Sequence, residues 1–350
     1  YTDQVYKMQK TFALSLTVNP EKQAAIEIER LLKFPGFLKR DSFAKGRVEI
    51  VELRVDERSR LCNVALSELN RVIKCRVLVC AVLRRGDVVA PDGSFVLREG
   101  DRIFVTASTE SLATLLDNLG IITKKVNHVM ICGGGRVSYY LAQQLEKDGM
   151  TVRLIEKDPK HCEELAALLP KTEIINDDAS NTFVLKRENL ESCDALVTAT
   201  GMDELNMIIS LYGTKHGVSQ VITKLGHMEN GSMIDQLPIG STIWPKDLCC
   251  NGIVRYIRAM HNQTGAAVSV HSIADGKAEA IEFHVEEKKP YCDKPLKNMK
   301  VKQNILVACI THGGVTELPG GDSVIREGDT VVVVTTRNDI IYKLDDIFEA

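Results

Sequence analysis

Between Cys132 and Tyr139 the chain reads Gly133-Gly-Gly-Arg-Val-Ser138, and an acid, Glu156, stands 23 residues past Gly133. That spacing suits phosphate and ribose binding. A glycine at 133 permits a tight turn, and a glycine at 135 lets backbone approach a phosphate with no Cβ in the way. Unpaired N–H groups at the start of the following helix attract anions. An acid at the end of the next strand would accept hydrogen bonds from ribose hydroxyls, which disfavours a 2′-phosphate and therefore NADP. Ser138 stands where the third glycine would be. That position serves helix–strand packing, and serine is only slightly larger than the tolerated alanine. Arg136 is the unusual member of the loop. Its guanidinium could reach a terminal phosphate or a neighbouring subunit's ligand. The bland alternatives are a structural glycine turn with no ligand and a solvated arginine on a first helical turn, where a cation is disfavoured.

The flanking sequence supplies the elements such a loop needs. Asn127–Cys132 is a short apolar strand candidate before the glycines, and Tyr139–Lys147 is helical after them. Thr151–Ile155 is the next strand and ends at Glu156. Further strands are expected at Thr172–Ile175, Asp194–Thr198 and Ser219–Thr223, with helices at Lys160–Leu169, Asp203–His216 and Glu229–Gln236. Alternating strands and helices imply a parallel, doubly wound sheet, with ligands outside the carboxyl ends of its strands. Glu156, Asp178, Ala179 and Thr200 should converge there. For Asp178 the competing reading is a plain helix N-cap.

A second feature frames this module. Arg76-Val-Leu-Val-Cys-Ala-Val82, Phe95-Val-Leu-Arg-Glu-Gly-Asp101 and the helical Glu110-Ser-Leu-Ala-Thr-Leu-Leu116 recur roughly 228 residues later. There they read Asn304-Ile-Leu-Val-Ala-Cys-Ile310, Ser323-Val-Ile-Arg-Glu-Gly-Asp329 and Asn338-Asp-Ile-Ile-Tyr-Lys-Leu344. Self-similarity of this kind signals a duplicated module. It extends back to Ser15–Pro20 and Ser241–Pro245, each proline opening an amphipathic helical stretch, Pro20 to Leu32 and Pro245 to Met260. The nucleotide pattern precedes only the second copy, so Tyr1 is expected to fall inside a module whose opening half has been cut away.

Composition sets bounds. A net charge of −3, 44% hydrophobic and 26% charged residues are ordinary for a globular chain and leave no globally basic face for nucleic acid. No apolar run approaches the roughly 18–20 residues of a membrane span. Ten cysteines show no paired metal spacing. Cys132, Cys193 and Cys309 fall in apolar strand candidates and Cys249-Cys250 in a helix, so free thiols are expected rather than a disulfide scaffold.

With these residues in place, the chain closely resembles the TrkA family, the cytosolic regulatory subunits of Trk-type potassium uptake systems, built from RCK domains (regulators of potassium conductance). The matching residues are Gly133–Ala142, Leu154-Ile-Glu-Lys157, Asp177-Asp-Ala-Ser180 and Thr198-Ala-Thr-Gly-Met-Asp-Glu-Leu-Asn206, and the Arg-Glu-Gly-Asp repeats look like the family's smaller C-terminal lobes. The resemblance implies an α/β fold: a Rossmann-like doubly wound parallel sheet lobe plus two small α+β RCK C-terminal lobes. Residues 1–47 would be the crossover and linker helical segment of a truncated first RCK unit, and 48–125 its C-terminal lobe. Residues 126–244 would be the Rossmann lobe of the second unit, 245–267 its crossover helix and 268–350 its C-terminal lobe. It also implies that Gly133, Gly135, Arg136, Val137, Glu156, Lys157, Asp178, Ala179, Thr200 and Gly201 contact NAD(H) or ATP/ADP. The family usually has Gly-Asp-Ala at the third strand's end, where this chain has Asp177-Asp178-Ala179.

Two functions follow. The first is a nucleotide-sensing regulatory subunit, not an enzyme, that gates an integral-membrane potassium transporter of the Trk type by conformational change. It would be a homo-oligomer, dimer or tetramer, cytoplasmic and peripheral on the inner face of the plasma membrane through that partner, with no nucleic-acid role. The apolar stripes Ile26, Ile28, Leu31, Leu32 and Leu248, Ile253, Val254, Ile257 would form dimer interfaces, or else ordinary core faces. Lys33, Lys39, Arg40, Lys45 and Arg47 read as a solvated linker. The alternative is an NAD-dependent oxidoreductase, which needs a general acid or base. Of His128, His161, His216, His227, His261, His271, His284 and His312, His128 reads as a satisfied core residue and His161 and His216 as solvated. Only His227, after the fifth strand, is a candidate.

Overall fold

A computed structural model describes residues 14–33, 37–44, 47–57, 59–119, 125–226, 234, 237–260, 267–274, 276–336 and 339–349; at 39, 40, 42, 109, 251, 255 and 258–260 only the backbone is described. The chain forms two units, Tyr1–Leu38 with Thr123–Gly252, and Lys39–Ile122 with Ile253–Ala350.

In chain order, helix α1 (Pro20–Lys33) belongs to the first unit. The second unit then begins with strands β1 (Lys39–Phe43), β2 (Val48–Arg54), β3 (Leu78–Arg84), β4 (Asp87–Val89) and β5 (Arg102–Ala107), and helices α2 (Leu69–Ile73) and α3 (Thr109–Asn118). The first unit resumes with β6 (His128–Cys132), α4 (Arg136–Lys147), β7 (Thr151–Glu156), α5 (Pro159–Leu168), β8 (Thr172–Asn176), α6 (Thr182–Arg187), β9 (Ala195–Thr198), α7 (Asp203–Lys215), β10 (Gln220–Lys224) and β11 (Ser241–Ile243). Helix α8 (Pro245–Met260) follows, and β12 (Ala267–Ile273), β13 (Ala278–His284), β14 (Ile305–His312), β15 (Val315–Glu317) and β16 (Thr330–Thr335) complete the second unit.

The first unit is the parallel doubly wound sheet, in the order β11-β10-β9-β6-β7-β8. Strand order reverses between β6 and β9, so the crevice for a ligand opens at their carboxyl ends. Successive residues of β6 serve opposite faces, as a strand buried on both sides must. Val129 and Ile131 join one core with Leu141, Leu145 and Leu154. Met130 and Cys132 join the other with Leu185, Leu196 and Ile209. His128, at the exposed outer end of β6, is not the core histidine expected of it.

Helix α1 belongs to this sheet. Asn19 caps it, its Oδ1 accepting from Lys22 N at 2.9 Å, and Pro20 takes the first helical position. Ala24, Ala25, Ile28, Leu31 and Leu32 pack into the core beside α4, and Gln220 Nε2 donates to Leu31 O at 2.7 Å. The first apolar stripe is therefore an intrachain core face and not the expected dimer interface; Ile26 is only half-buried. On α8 the stripe differs: Leu248 is half-buried, while Ile253, Val254 and Ile257 are exposed. Of the basic cluster, Lys33 is tied to Glu29 and to Asp148 at 2.9 Å. Lys39 and Arg40 contribute backbone to β1, an edge strand within the stretch expected as linker. Lys45 lies outside the described residues.

The second unit holds two antiparallel sheets of the same topology, β1-β2-β5-β3-β4 and β12-β13-β16-β14-β15. Even the irregularities repeat: the register of β3 on β5 shifts between Val79 and Ala81, and that of β14 on β16 between Val307 and Cys309. The sheets share one core, in which Phe43, Ile50, Cys80 and Phe104 meet Ile273, Ala280, Cys309 and Val334. Burial pushes the Cys132 and Cys309 thiols up to about 12, and all ten cysteines are free. The copies differ at the end. Ser108 caps α3 in the first. In the second, the Asp346 carboxylate turns the chain by accepting from Tyr342 N and Lys343 N, and a short 3₁₀ turn, Leu344–Ile347, replaces the helix. Among the described residues, no helix is long and apolar enough to cross a membrane and no cluster could hold a metal ion.

Candidate functional site

At the carboxyl ends of β6, β7 and β9 lies a cavity of about 1100 Å³, at the upper end of the range for small-molecule sites. All ten residues expected at the site line it: Gly133, Gly135, Arg136, Val137, Glu156, Lys157, Asp178, Ala179, Thr200 and Gly201.

The three glycines have different duties. Gly133 has φ +98°, and a Cβ there would lie 2.8 Å from Thr200 Cα and 2.9 Å from Ala199 O. The turn thus runs against the end of β9, and no larger residue fits. At Gly134 a Cβ would meet Leu165 Cδ1 at 2.7 Å and Glu156 Oε2 at 2.9 Å. At Gly135 it would meet nothing closer than Ala199 O at 4.0 Å. Gly135 is the N-cap of α4, with no side chain capping its N–H groups. The open space and open donors therefore coincide, as an anion cradle requires. Pro20 and Glu21 at the start of α1, and Pro245 and Lys246 at the start of α8, also line the cavity. The starts of three helices thus line one space, with Arg136, Lys157, Lys224 and Lys246 set among the acids Glu21, Glu156, Asp177, Asp178, Asp203 and Glu204.

Glu156 works first as a brace. Its Oε2 accepts from Gly134 N at 2.7 Å and its Oε1 from Asp158 N at 2.9 Å, tying the glycine turn to the cap of α5. Each oxygen keeps a further lone pair for a ribose hydroxyl. Asp178 accepts from Ser180 N at 2.8 Å, which holds its carboxyl below the ordinary range. It shapes the turn after β8, while the N-cap of α6 is Asn181. Asp177, where the family has glycine, is held below the ordinary range by the Asp178 N–H and by Arg187 at 2.9 Å. It does not adopt a positive φ, so its backbone does not require glycine.

Thr200 is committed to its neighbour. Its Oγ1 donates to Asn206 Oδ1 at 2.7 Å, and its N–H donates to the same oxygen at 2.9 Å. Asn206, fully buried, donates in turn to Lys224 O at 2.9 Å, and Lys224 Nζ reaches Thr200 O at 3.0 Å. This lock joins the ends of β9 and β10 to α7. Arg136 extends into solvent, 81% exposed, with Glu21 Oε1 at 3.8 Å. A pair this open contributes little to stability.

Sequence reading missed several lining residues. His161, 40% exposed and so partly solvated as expected, also has partners: its Nε2 lies 2.9 Å from Gly134 O and its Nδ1 3.2 Å from Glu164 Oε2. His216 likewise pairs with Glu191 at 2.9 Å. Lys224 was findable, since it ends the fifth strand. Pro20 and Pro245 carried a signal in the repeat, though none that put both at one cavity. His227, His261 and the helix expected at Glu229–Gln236, apart from Ile234, lie outside the described residues.

A nucleotide fits what is present: a cradle at Gly135 that a Cβ would fill, three convergent helix N-termini, and an acid at the second strand's end. Fold and site define a Rossmann-type lobe carried with a pair of α+β lobes. The sequence matches the TrkA-N domain over residues 129–245 and the TrkA-C domain twice, over 50–120 and 280–348. The chain belongs to the TrkA family, of which these domains are the parts. It is 26% identical over 334 residues to the Trk system potassium uptake protein TrkA homolog 1 of Methanosarcina mazei, covering 95% of this chain and 73% of that protein. It is 27% identical over 338 residues to the Trk system potassium uptake protein TrkA of Haemophilus influenzae, covering 95% and 72%. The fold is shared with the GsuK RCK domain, at TM-score 0.54 and 14% identity over 94% of this chain and 69% of that one. It is shared also with the GsuK channel bound to NAD, at TM-score 0.50 and 14% identity over 89% and 55%.

Proposed function

We propose that this chain is a nucleotide-sensing regulatory subunit that gates a membrane potassium uptake transporter of the Trk type. NAD(H) or ATP/ADP would bind in the cavity, with its phosphates at the start of α4 against Gly135, Arg136 and Val137. Glu156 and Lys157 would meet the ribose, and Asp178, Ala179, Thr200 and Gly201 would complete the walls. The observation that carries this reading is the convergence of α1, α4 and α8 on one anion cradle. A nucleotide with its phosphates there would share the cavity with the starts of α1 and α8. Ligand binding can then favour one arrangement of those helices over another, which is all a regulator needs. The relatives' names supply potassium uptake, and NAD is the ligand named for the GsuK channel. The exposed Ile253, Val254 and Ile257 of α8 are the face on which a homo-oligomer would assemble. The protein would work in the cytoplasm, at the inner face of the membrane through its transporter.

The oxidoreductase reading is weaker. A hydride-transfer enzyme needs an acid or base free to exchange a proton with substrate. Among the described residues, the histidine lining the cavity is His161, and both its ring nitrogens lie against acceptors of its own chain. The test is calorimetric titration of NADH, NAD, ATP and ADP into the full chain and into Gly135→Asp and Arg136→Ala. Gly135→Asp should abolish binding of all four. Arg136→Ala should weaken ATP more than ADP; an unchanged ATP-to-ADP ratio would remove Arg136 from phosphate sensing. Turnover of NADH with a small carbonyl substrate would overturn the regulator in favour of the enzyme.

A further inference from the structure

His161 sits at the third position of α5, on the wall of the cavity. Its two ring nitrogens face two groups that can only accept: the Gly134 carbonyl at 2.9 Å and the Glu164 carboxylate at 3.2 Å. A neutral imidazole has one N–H and one lone pair, so it can satisfy only one of these and turns its lone pair on the other. Only the imidazolium, with two N–H groups, satisfies both. The remaining charges around it agree. Glu156, at the end of β7, and Asp158, which caps α5, are acids. Asp177 and Asp178, after β8, line the same cavity, as do the cations Lys157, just past β7, and Arg136 on α4, while Lys160 adjoins His161 on α5 itself. The Gly134 carbonyl first, and Glu164 second, raise His161 above the ordinary imidazole range.

The peptide that His161 grips is the critical one. Gly134 donates its N–H to Glu156 and receives His161 on its carbonyl. The glycine turn is thus clamped from both sides just before the donors at Gly135 and Arg136. We propose that His161 is a protonated clamp on the phosphate-binding turn, so that nucleotide and proton bind together and affinity falls as pH rises. This rests on the nucleotide reading above and adds proton coupling to it. The sign follows from the charge. In acid the ring is charged with or without ligand, and affinity is flat. As pH rises through the raised titration of the free protein, binding must recruit a proton and weakens, until the complex too loses it. A single charge sharing a partly solvated cavity with a diphosphate is worth about fivefold in affinity. His161 is a positioning residue here, acting through Gly134.

The experiment titrates NAD and ADP into the full chain between pH 6.0 and 8.5. Wild type is compared with His161→Gln, which keeps an N–H for Gly134 without the charge, so that the ratio cancels the nucleotide's own ionisation. The ratio should be about fivefold at pH 6.0 and approach one at pH 8.5. His161→Arg, charged throughout, should show no fall with pH. The His161 Cε1–H resonance, identified by its loss in His161→Gln, should titrate above the ordinary imidazole midpoint. Tight binding with a flat ratio, or a resonance titrating below that midpoint, would overturn the proton coupling and leave the nucleotide site standing. No binding of either nucleotide at any pH would overturn both.

Discussion

Replacing Gly133 and Gly135, one at a time, with alanine separates the part of the turn that serves the fold from the part that serves a ligand. At Gly133 the added Cβ would fall 2.8 Å from Thr200 Cα and 2.9 Å from Ala199 O, both backbone. The φ of +98° adds a conformational penalty of about 1–2 kcal/mol, and forcing backbone apart costs about 1–3 kcal/mol more. Gly133→Ala should therefore lose about 2–5 kcal/mol in urea denaturation followed by circular dichroism. At Gly135 the backbone sits at φ −63° and the Cβ meets only one atom, 4.0 Å away. Alanine is a poorer N-cap than glycine, at a cost below about 1 kcal/mol. Gly135→Ala should therefore unfold within about 1 kcal/mol of wild type and yet bind NAD and ADP at least about tenfold more weakly in calorimetry, because its methyl occupies the cradle. Unchanged affinity in Gly135→Ala would refute the placement of phosphates there. A stability loss as large as that of Gly133→Ala would refute the division of duties between the two glycines.

Two further outcomes follow from buried polar groups. Asp101 is 1% exposed and receives both Arg84 Nε and Nη2 at 2.7 Å. Arg84→Ala strands that carboxylate and should cost about 3 kcal/mol, the lower end for a broken buried pair because Arg84 itself is partly exposed; Asp101→Asn in the same chain should recover part of the loss, and a loss below about 1 kcal/mol would refute the pairing. Ser138 is fully buried and its hydroxyl has no partner, so Ser138→Ala should raise stability by about 1 kcal/mol, read from the shift in urea midpoint; a lower midpoint would show that the hydroxyl has a role.

The sheet was legible because its signals are local. Apolar runs of four to six residues, each followed by a turn and a helix, fixed five of the six strands to within about a residue or two. The sixth, β11, is only Ser241–Ile243, and two of its three residues are polar; its pairing with β10 is a tertiary fact. The site residues were legible for the same reason, since strand ends in a doubly wound sheet must converge. What sequence did not give is the second rank of contacts. His161 was placed on a solvated helix face because helical periodicity says nothing of a carbonyl belonging to another segment. Asn206 was visible only as part of a motif, and its tie to Thr200 and Lys224 depends on three elements meeting. The stripe on α1 shows the limit most clearly. Its pattern specifies an apolar partner without naming it, and the partner proved to be α4 of the same chain.

The duplicated Arg-Glu-Gly-Asp block, which fixed the register of the repeat, is itself a structural device. Gly100 and Gly328 take φ +84° and +86°, and their N–H groups donate to Val55 O and Val285 O, both at 2.8 Å. Asp101 and Asp329 are buried and accept from Arg98 N and Arg326 N at 2.8 and 2.7 Å. Each carboxylate therefore closes its own turn and still has lone pairs to satisfy. Arg84 fills them in the first lobe, with two bonds from a permanently charged fork. In the second lobe the corresponding residue is His312, with a single contact at 2.5 Å between its Nδ1 and Asp329. The turn is the same in both lobes, but only the first closes it with the two-pronged guanidinium. Two sheets of one topology, folded against a shared core, thus close the same turn with a guanidinium in one lobe and an imidazole in the other.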